Sequence, residues 1–212
     1  MLSFVLAATS AAAAAIPTGA MTSPSDLEAP NRLRSGLVVG LTVGAGVVGA
    51  SGYPNDQTRI GDPAYYSASG WMLGAGESLF VMGALTDYLS FGFFYAHASS
   101  SNAHWRSSGD GGGLRVEAFP LVGLAPRWSG LGLFAQFGLG SGRLTSTTLG
   151  LPNAEGTQSF IGTGVFHEWS FGHVLGGHFG AGPALEYDAI WSQPFERHGL
   201  VASARFVFYG GP

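Results

Sequence analysis

In eight stretches between residues 36 and 209 apolar side chains recur at every second position, and the residues between them are mostly small or polar. That period belongs to a strand, whose side chains point alternately to opposite faces. Stretch 131–143 shows it most cleanly: Leu131, Leu133, Ala135, Phe137 and Leu139 alternate with Gly132, Phe134, Gln136, Gly138, Gly140 and Gly142. The last such stretch, 199–209, sets Leu200, Ala202, Ala204, Phe206 and Phe208 against Val201, Ser203, Arg205 and Val207. Eight segments follow the pattern, at 36–50, 70–83, 89–98, 113–122, 131–143, 157–169, 174–188 and 199–209. The first has a rival reading, because Gly36, Gly40 and Gly44 repeat every four residues as in packed membrane helices. It is, however, shorter than the ~20 residues a spanning helix needs. The second is the least regular: an inward Glu77 takes Leu79 and Val81 inward with it, unless a bulge resets the phase. Pro120 predicts the end of the fourth strand, and Pro183 is a misfit on the outward face of the seventh.

The connections predicted between these segments alternate long and short, with 51–69, 99–112, 144–156 and 189–198 long and the rest short turns. The continuous faces are apolar, while the opposite faces hold Gly, Ser, Gln, Arg and Glu. Soluble up-and-down barrels have the reverse arrangement. The pattern therefore predicts an all-β fold, an eight-stranded antiparallel up-and-down transmembrane β-barrel with lipid-facing apolar residues and a small polar lumen. Glu77, Arg115, Glu117, Gln136, Glu168, His178, Glu186 and Arg205 are expected to line that lumen. Unpaired, they would cost several kcal/mol each, so they should pair, Arg205 with Glu77 or Glu117. Trp71, Tyr88, Tyr95, Trp128, Trp169, Tyr187, Trp191 and Tyr209 fall at or near strand ends and predict the two aromatic belts of a membrane barrel. Trp105 falls in a predicted loop.

Composition agrees with this reading. Hydrophobic residues make up 46% and charged residues only 10%, too few to cover a soluble surface, and 35 Gly argue against a helical bundle. The basic residues are all Arg and scattered, so no nucleic-acid partner is expected. The absence of Cys excludes disulfides and Cys-ligated metals. Residues 1–20 are apolar and Ala-rich and read as a signal peptide cleaved near 15–20, although the first Arg is Arg32 and the n-region has no basic side chain. Residues 21–35 read as a polar periplasmic linker and 36–209 as the barrel.

In its strand pattern, loop asymmetry and aromatic closing strand, the chain resembles the small outer-membrane β-barrel proteins, the group of the OmpA membrane domain, OmpX and OmpW. The resemblance implies a bacterial outer membrane, long loops outside and both termini periplasmic. Implied partners are outer-membrane lipid including lipopolysaccharide, and the barrel-insertion machinery through the closing strand. A monomer is implied. Phe208 and Tyr209 stand where members of the group end in an aromatic residue, but Gly210, Gly211 and Pro212 follow.

Three roles remain open at this stage. With a side-chain-filled polar lumen, the barrel is a structural or surface-binding protein; Tyr53, Tyr65, Tyr66, Trp105, Trp191 and Phe195 beside Arg59, Arg106 and Arg197 are the candidate loop surface. With ion pairs that switch partners, the lumen is a narrow channel for small polar solutes or ions. The third role is enzymatic: His97, Ser99 and Asp110 or Glu117 are the residue types of a base, a nucleophile and an orienting acid. Some eight-stranded barrels are lipid A deacylases with such a His and Ser, but their acid stands at a set distance past the Ser that this sequence does not reproduce. Residues 97–108 are rich in Ser, so the spacing carries little information, and the chain is expected not to be an enzyme. No cofactor is expected. His167, His173 and His178 near the third turn do not converge by strand phase, so no metal site is expected either.

Overall fold

The computed structural model describes residues 34–211 except Ala125, Leu149 and Leu175; the expected signal segment and most of the linker lie outside the described residues. Nine strand segments follow in order: β1 (Gly36–Gly52), β2 (Ser67–Thr86), β3 (Leu89–Ser101), β4 (Trp105–Ala118), β5 (Leu131–Ser146), β6 (Ala154–His167), β7 (Trp169–Val174), β8 (Gly177–Trp191) and β9 (Phe195–Gly210). Each pairs antiparallel with its sequence neighbour through β6, and β9 pairs with both β8 and β1. β6 and β7 lie end to end against β8 in one register, with Phe166 opposite Ala184 and Trp169 opposite Ala181. The break between them falls opposite Pro183, which has no N–H to give to a ladder. Nine segments therefore make eight staves, and the sheet closes on itself through the β6–β8 pairing, while β7 pairs only with β8.

The stagger of the barrel can be read from one row of partners. Starting at Phe166, the row passes through Ala184, Ser203, Gly44, Gly76, Ala98, Gly109 and Gly142 and returns to β6 at Gly156. The offset, 166 − 156, is a shear of 10 residues. At about 3.3 Å per residue and 4.7 Å per strand, that tilts the staves by roughly 40°. All but the first member of this inward-facing row are Gly, Ala or Ser, so the row leaves room in the lumen.

The connection lengths differ from expectation. At the end away from the termini the connections are 53–66, 102–104, 147–153 and 192–194; at the terminal end they are 87–88, 119–130 and 175–176. The predicted loop 99–112 is mostly a long hairpin. Its Gly and Ser residues looked like loop residues, but Gly109 and Gly111 face inward where bulky neighbours need space. A Cβ on Gly111 would collide with the Phe160 ring, and one on Gly109 would lie 3.0 Å from Arg197. Conversely, the connection at 119–130 is long because Phe119 and Val122 fold back into the terminal mouth, where they are buried with Phe134 and Phe166.

β2 keeps one phase across its middle. Met72, Ser78, Phe80 and Met82 are buried, while Leu73, Leu79 and Val81 are exposed on the outside. Its register shifts lie only near its ends, opposite 49–51 and at 84–86. Glu77 therefore faces outward with Leu79 and Val81, which corrects its expected place in the lumen: no bulge intervenes to turn it inward. Outward apolar residues on other staves include Val43, Phe93, Leu139, Ile161 and Phe206.

Candidate functional site

The inward faces converge on a chain of ion pairs near the terminal end. Arg115 and Glu117 are two apart on β4 and share its inner face. Arg115 Nε donates to Glu117 Oε1 at 2.8 Å. Arg205, on the inner face of β9, makes a two-pronged contact with the same carboxylate, at 2.8 Å to each oxygen. Arg205 Nε also lies 3.5 Å from Glu168 Oε2. Glu168 sits at the break between β6 and β7. It receives Tyr209 Oη at 2.7 Å and Arg34 at 2.9 Å and 3.1 Å. Aromatic rings enclose the cluster: Arg115 lies over Phe80 and Phe134, at 4.4 Å and 4.0 Å, and Arg205 over Phe80 and Phe166, at 4.5 Å and 4.1 Å. The two Nη atoms of Arg115 have no hydrogen-bond partner among the described residues, and the ring faces stand in for one.

Arg34 ties this cluster to the terminal connections. Its guanidinium lies 3.5 Å over the Phe119 ring, its Nη2 donates to the Ser129 carbonyl, and its backbone N–H donates to Asp87. One residue thus contacts two terminal-end connections and the β6–β7 break.

Toward the far end the lumen is looser. A chamber of about 40 Å³ is lined by Thr42, Ser78, Gln136, Glu186, Asp188 and Arg197, among others. Thr42 and Ser78 share a hydrogen bond of 2.9 Å, and Ser203 donates to Glu186. Arg197 donates to Asp188 at 2.8 Å and to the Ala98 carbonyl at 3.2 Å. Two buried donors, Gln136 Nε2 and Arg197 Nε, have no hydrogen-bond partner among the described residues. A polar space of this size is large enough for water, which would satisfy them. Above it Trp105, Phe195, Leu144 and Met72 close the far mouth with a buried apolar cluster. Arg34, Arg115, Arg197 and Arg205 balance Glu117, Glu168, Glu186 and Asp188, so the formal charges inside the barrel cancel.

Of the expected lumen residues, the fold brings Arg115, Glu117, Glu168 and Arg205 into one cluster and puts Gln136 and Glu186 in the chamber. His178 stacks on Tyr209 at 4.8 Å near the terminal end; Glu77 is outside. Of the expected belt, Trp71, Tyr88, Tyr95, Trp128, Trp169, Tyr187 and Trp191 are exposed. Tyr209 is not a belt residue: it is 1% exposed and bonded to Glu168, because it shares the parity of Arg205 and Val207. Arg197, Phe195 and Trp105 are likewise buried rather than part of a loop surface. Arg34, Arg197, Asp188 and Tyr209 were missed as lumen residues. Strand parity inside the predicted segments 174–188 and 199–209 points to Asp188 and Tyr209, and parity carried back past residue 199 would have found Arg197.

Two further features lie outside the lumen. In the 53–66 connection, Tyr53 and Tyr66 pack at 5.2 Å and Arg59 lies 4.9 Å over Tyr65. Thr58 donates its backbone N–H and its hydroxyl to Asp56, which holds that carboxyl below its usual range. On the outer wall, Asp110 of β4 accepts from Tyr95 Oη at 2.6 Å and bonds His97 Nδ1 at 2.9 Å.

No family model and no curated protein matches the chain. Among solved structures it is similar to Ail, the attachment invasion locus protein of Yersinia pestis, at 10% identity, with 82% of this chain and 99% of that one covered and a TM-score of 0.49. It is also similar to Neisserial surface protein A, at 18% identity, with 81% and 96% covered and a TM-score of 0.41. A third is the N-terminal β-barrel domain of Pseudomonas aeruginosa OprF, at 13% identity, with 81% and 98% covered and a TM-score of 0.41.

Proposed function

We propose that this chain is an integral barrel of the bacterial outer membrane, with a structural or surface-binding role and a lumen that serves as its core. The termini would lie on the periplasmic side and the 53–66 connection outside. The observation that carries this reading is the inversion of the two faces. Leu73, Phe93, Leu139 and Phe206 are more than half exposed on the outside, while Arg115, Glu117 and Arg205 are fully buried inside. In water that arrangement would waste the apolar burial that holds a domain together; in lipid it satisfies both faces. A lumen packed with ion pairs, aromatic rings and an apolar cap supports a scaffold over a passage. The exposed Tyr66 and the Arg59–Tyr65 pair supply a surface suited to a partner outside.

The chamber with its unpartnered donors favours a second reading, a narrow path for water or small ions that opens when Arg197 leaves Asp188. Planar-bilayer recordings of the refolded protein separate the two. The scaffold gives no discrete conductance in wild type or in Arg205→Ala. Steps present in wild type and altered by Arg205→Ala would establish the channel instead.

A further inference from the structure

We propose that residues 26–29 of the N-terminal linker add a short strand to the open edge of β7 and so complete the barrel wall at its terminal end. β6 lies between β5 and β8, whereas β7, which continues its line, pairs only with β8. β5 begins at Leu131, opposite His167, and the last backbone bond on that side runs from the Glu168 N–H to the Gly130 carbonyl at 3.0 Å. Just before Gly130 the chain is not a strand but the short 3₁₀ helix Pro126–Trp128. Backbone groups along a strand point to alternate sides, so Ser170 turns its N–H and C=O to the same side as Glu168. Among the described residues nothing bonds them there. Ser170 is exposed, and its outward neighbours Trp169 and Phe171 are each more than half exposed. An open edge of this kind is a template for another strand. The pairing goes beyond the membrane reading above, on which only one part of it rests: beside lipid, this edge would find no hydrogen bond at all.

The linker joins the barrel at the right place. Its residues before Arg34 lie outside the described residues, and Arg34 marks where they arrive. The Arg34 guanidinium bonds Glu168 at 2.9 Å and 3.1 Å and the Ser129 carbonyl at 3.1 Å. Those two residues flank the point where the edge opens. The four steps from Pro30 to Arg34 span at most about 14 Å, and signal cleavage near 15–20 leaves all of them in place. Walking back from Arg34 along the edge leads from Glu168 toward Gly172, so the added strand would run antiparallel to β7. Pro24 and Pro30 stand at either end of 25–29, where a residue without an N–H is tolerated. Between them Leu27 and Ala29 alternate with Asp26 and Glu28, the period of a strand with one apolar face.

One register fits both faces. With Ala29 opposite Trp169, Glu28 falls opposite Ser170 and Leu27 opposite Phe171. The small Ala29 leaves room for the indole, and Leu27 covers the Phe171 ring on the outer face. Glu28 turns toward the mouth, on the side of Arg34, whose buried Nη1 has no hydrogen-bond partner among the described residues. The ladder ends where β7 shifts register after Phe171, at Gly172 with a φ of 67°.

The chain has no Cys, so an introduced pair reports without interference. The full chain is refolded into phosphatidylethanolamine–phosphatidylglycerol vesicles and, in parallel, into detergent micelles, and disulfide formation under mild oxidation is read by mass spectrometry. Leu27 and Phe171 would form a non-hydrogen-bonded pair with Cα atoms about 4.5 Å apart, within disulfide range. Leu27→Cys with Phe171→Cys should close about 10-fold faster than Leu27→Cys with Leu85→Cys. Leu85 is an exposed residue of β2 at the same end of the barrel. Amide exchange is the second readout: Glu28→Pro removes the N–H that would donate to the Ser170 carbonyl, and the Ser170 amide should then exchange about 10-fold faster. Equal closure of the two Cys pairs overturns the proposal, and so does Ser170 exchange that Glu28→Pro leaves unchanged. A Ser170 amide still protected in that variant would give the edge to a second copy or to another protein instead. Flotation with the vesicles reports insertion separately. A wild type that floats but fails these tests keeps the membrane reading; one that does not float loses it, while the micelle samples still decide the pairing.

Discussion

Toward the terminal end one carboxylate, Glu117, is shared by two guanidinia, which lie over the rings of Phe80, Phe134 and Phe166. Toward the far end Arg197 has one carboxylate, one backbone carbonyl and a chamber beside it. Both regions bury Arg, but they tolerate loss differently. In the first, the charged groups are fully buried and share partners, so each group depends on the others. In the second, a water can take over a bond, so each group is more nearly independent. The difference follows from the small-residue row that circles the barrel: its Gly and Ala members leave space at the chamber, and Phe166 at its start fills it.

The sharpest break of this contrast is Glu117→Gln. It leaves Arg115 buried without its paired carboxylate and Arg205 with only the longer contact to Glu168, and removing one partner of a buried pair costs about 3–5 kcal/mol. Urea unfolding in lipid vesicles, followed by Trp fluorescence, should show a large drop in midpoint. An Asp188→Asn change that costs as much would erase the distinction between the two regions.

Arg34→Met comes next. Glu168 keeps Tyr209 and Arg205, but it loses its closest cation, and the terminal connections lose their common contact. A loss of about 1.5–3 kcal/mol is expected, the range for hydrogen bonds to charged groups. It should come with faster proteolysis at 119–130, since Phe119 loses its stacked guanidinium. Unchanged proteolysis would mean that Phe119 and Val122 hold that connection without Arg34.

How far the sequence foretold this core depends on parity and on where strands end. Arg115, Glu117 and Arg205 were legible because they alternate with Leu114, Val116, Phe206 and their neighbours inside clean segments. Glu77 was misread because Gly74 and Gly76 before it and Ser78 after it give no clear parity, and pairing a charge indoors seemed the cheaper choice. Its outward place is set by the apolar residues on either side. Arg197 was hidden because β9 begins at Phe195, inside what its polar residues and Pro194 marked as loop. Arg34 could not be reached by alternation at all: it precedes β1, and its partners at 87, 119, 129 and 168 are assembled only when the barrel closes. His97 and Asp110 were named from residue type alone; that they face and bond each other was out of reach, since it depends on a β3–β4 hairpin that runs on through residues taken for a loop.

Asp188→Asn is a milder probe. The amide still accepts from Arg197, the Ala98 carbonyl remains, and the Asp188 side chain is 18% exposed, so a cost of about 1 kcal/mol is expected. The same unfolding assay checks it against Glu117→Gln. Smallest of all should be Gln136→Leu. Its Nε2 has no protein partner, so the change removes a buried donor rather than a bond. Replacing an unsatisfied polar group with an apolar one of similar size is near neutral, within about 1 kcal/mol. Because Leu cannot hold water in the chamber, the Arg197 Nε would then depend on fewer waters. Combining Gln136→Leu with Asp188→Asn should therefore cost more than the two changes apart. Strict additivity in that double-mutant cycle would mean that the chamber does not couple its residues through water, and the contrast between the two regions would then reduce to the number of charges each one holds.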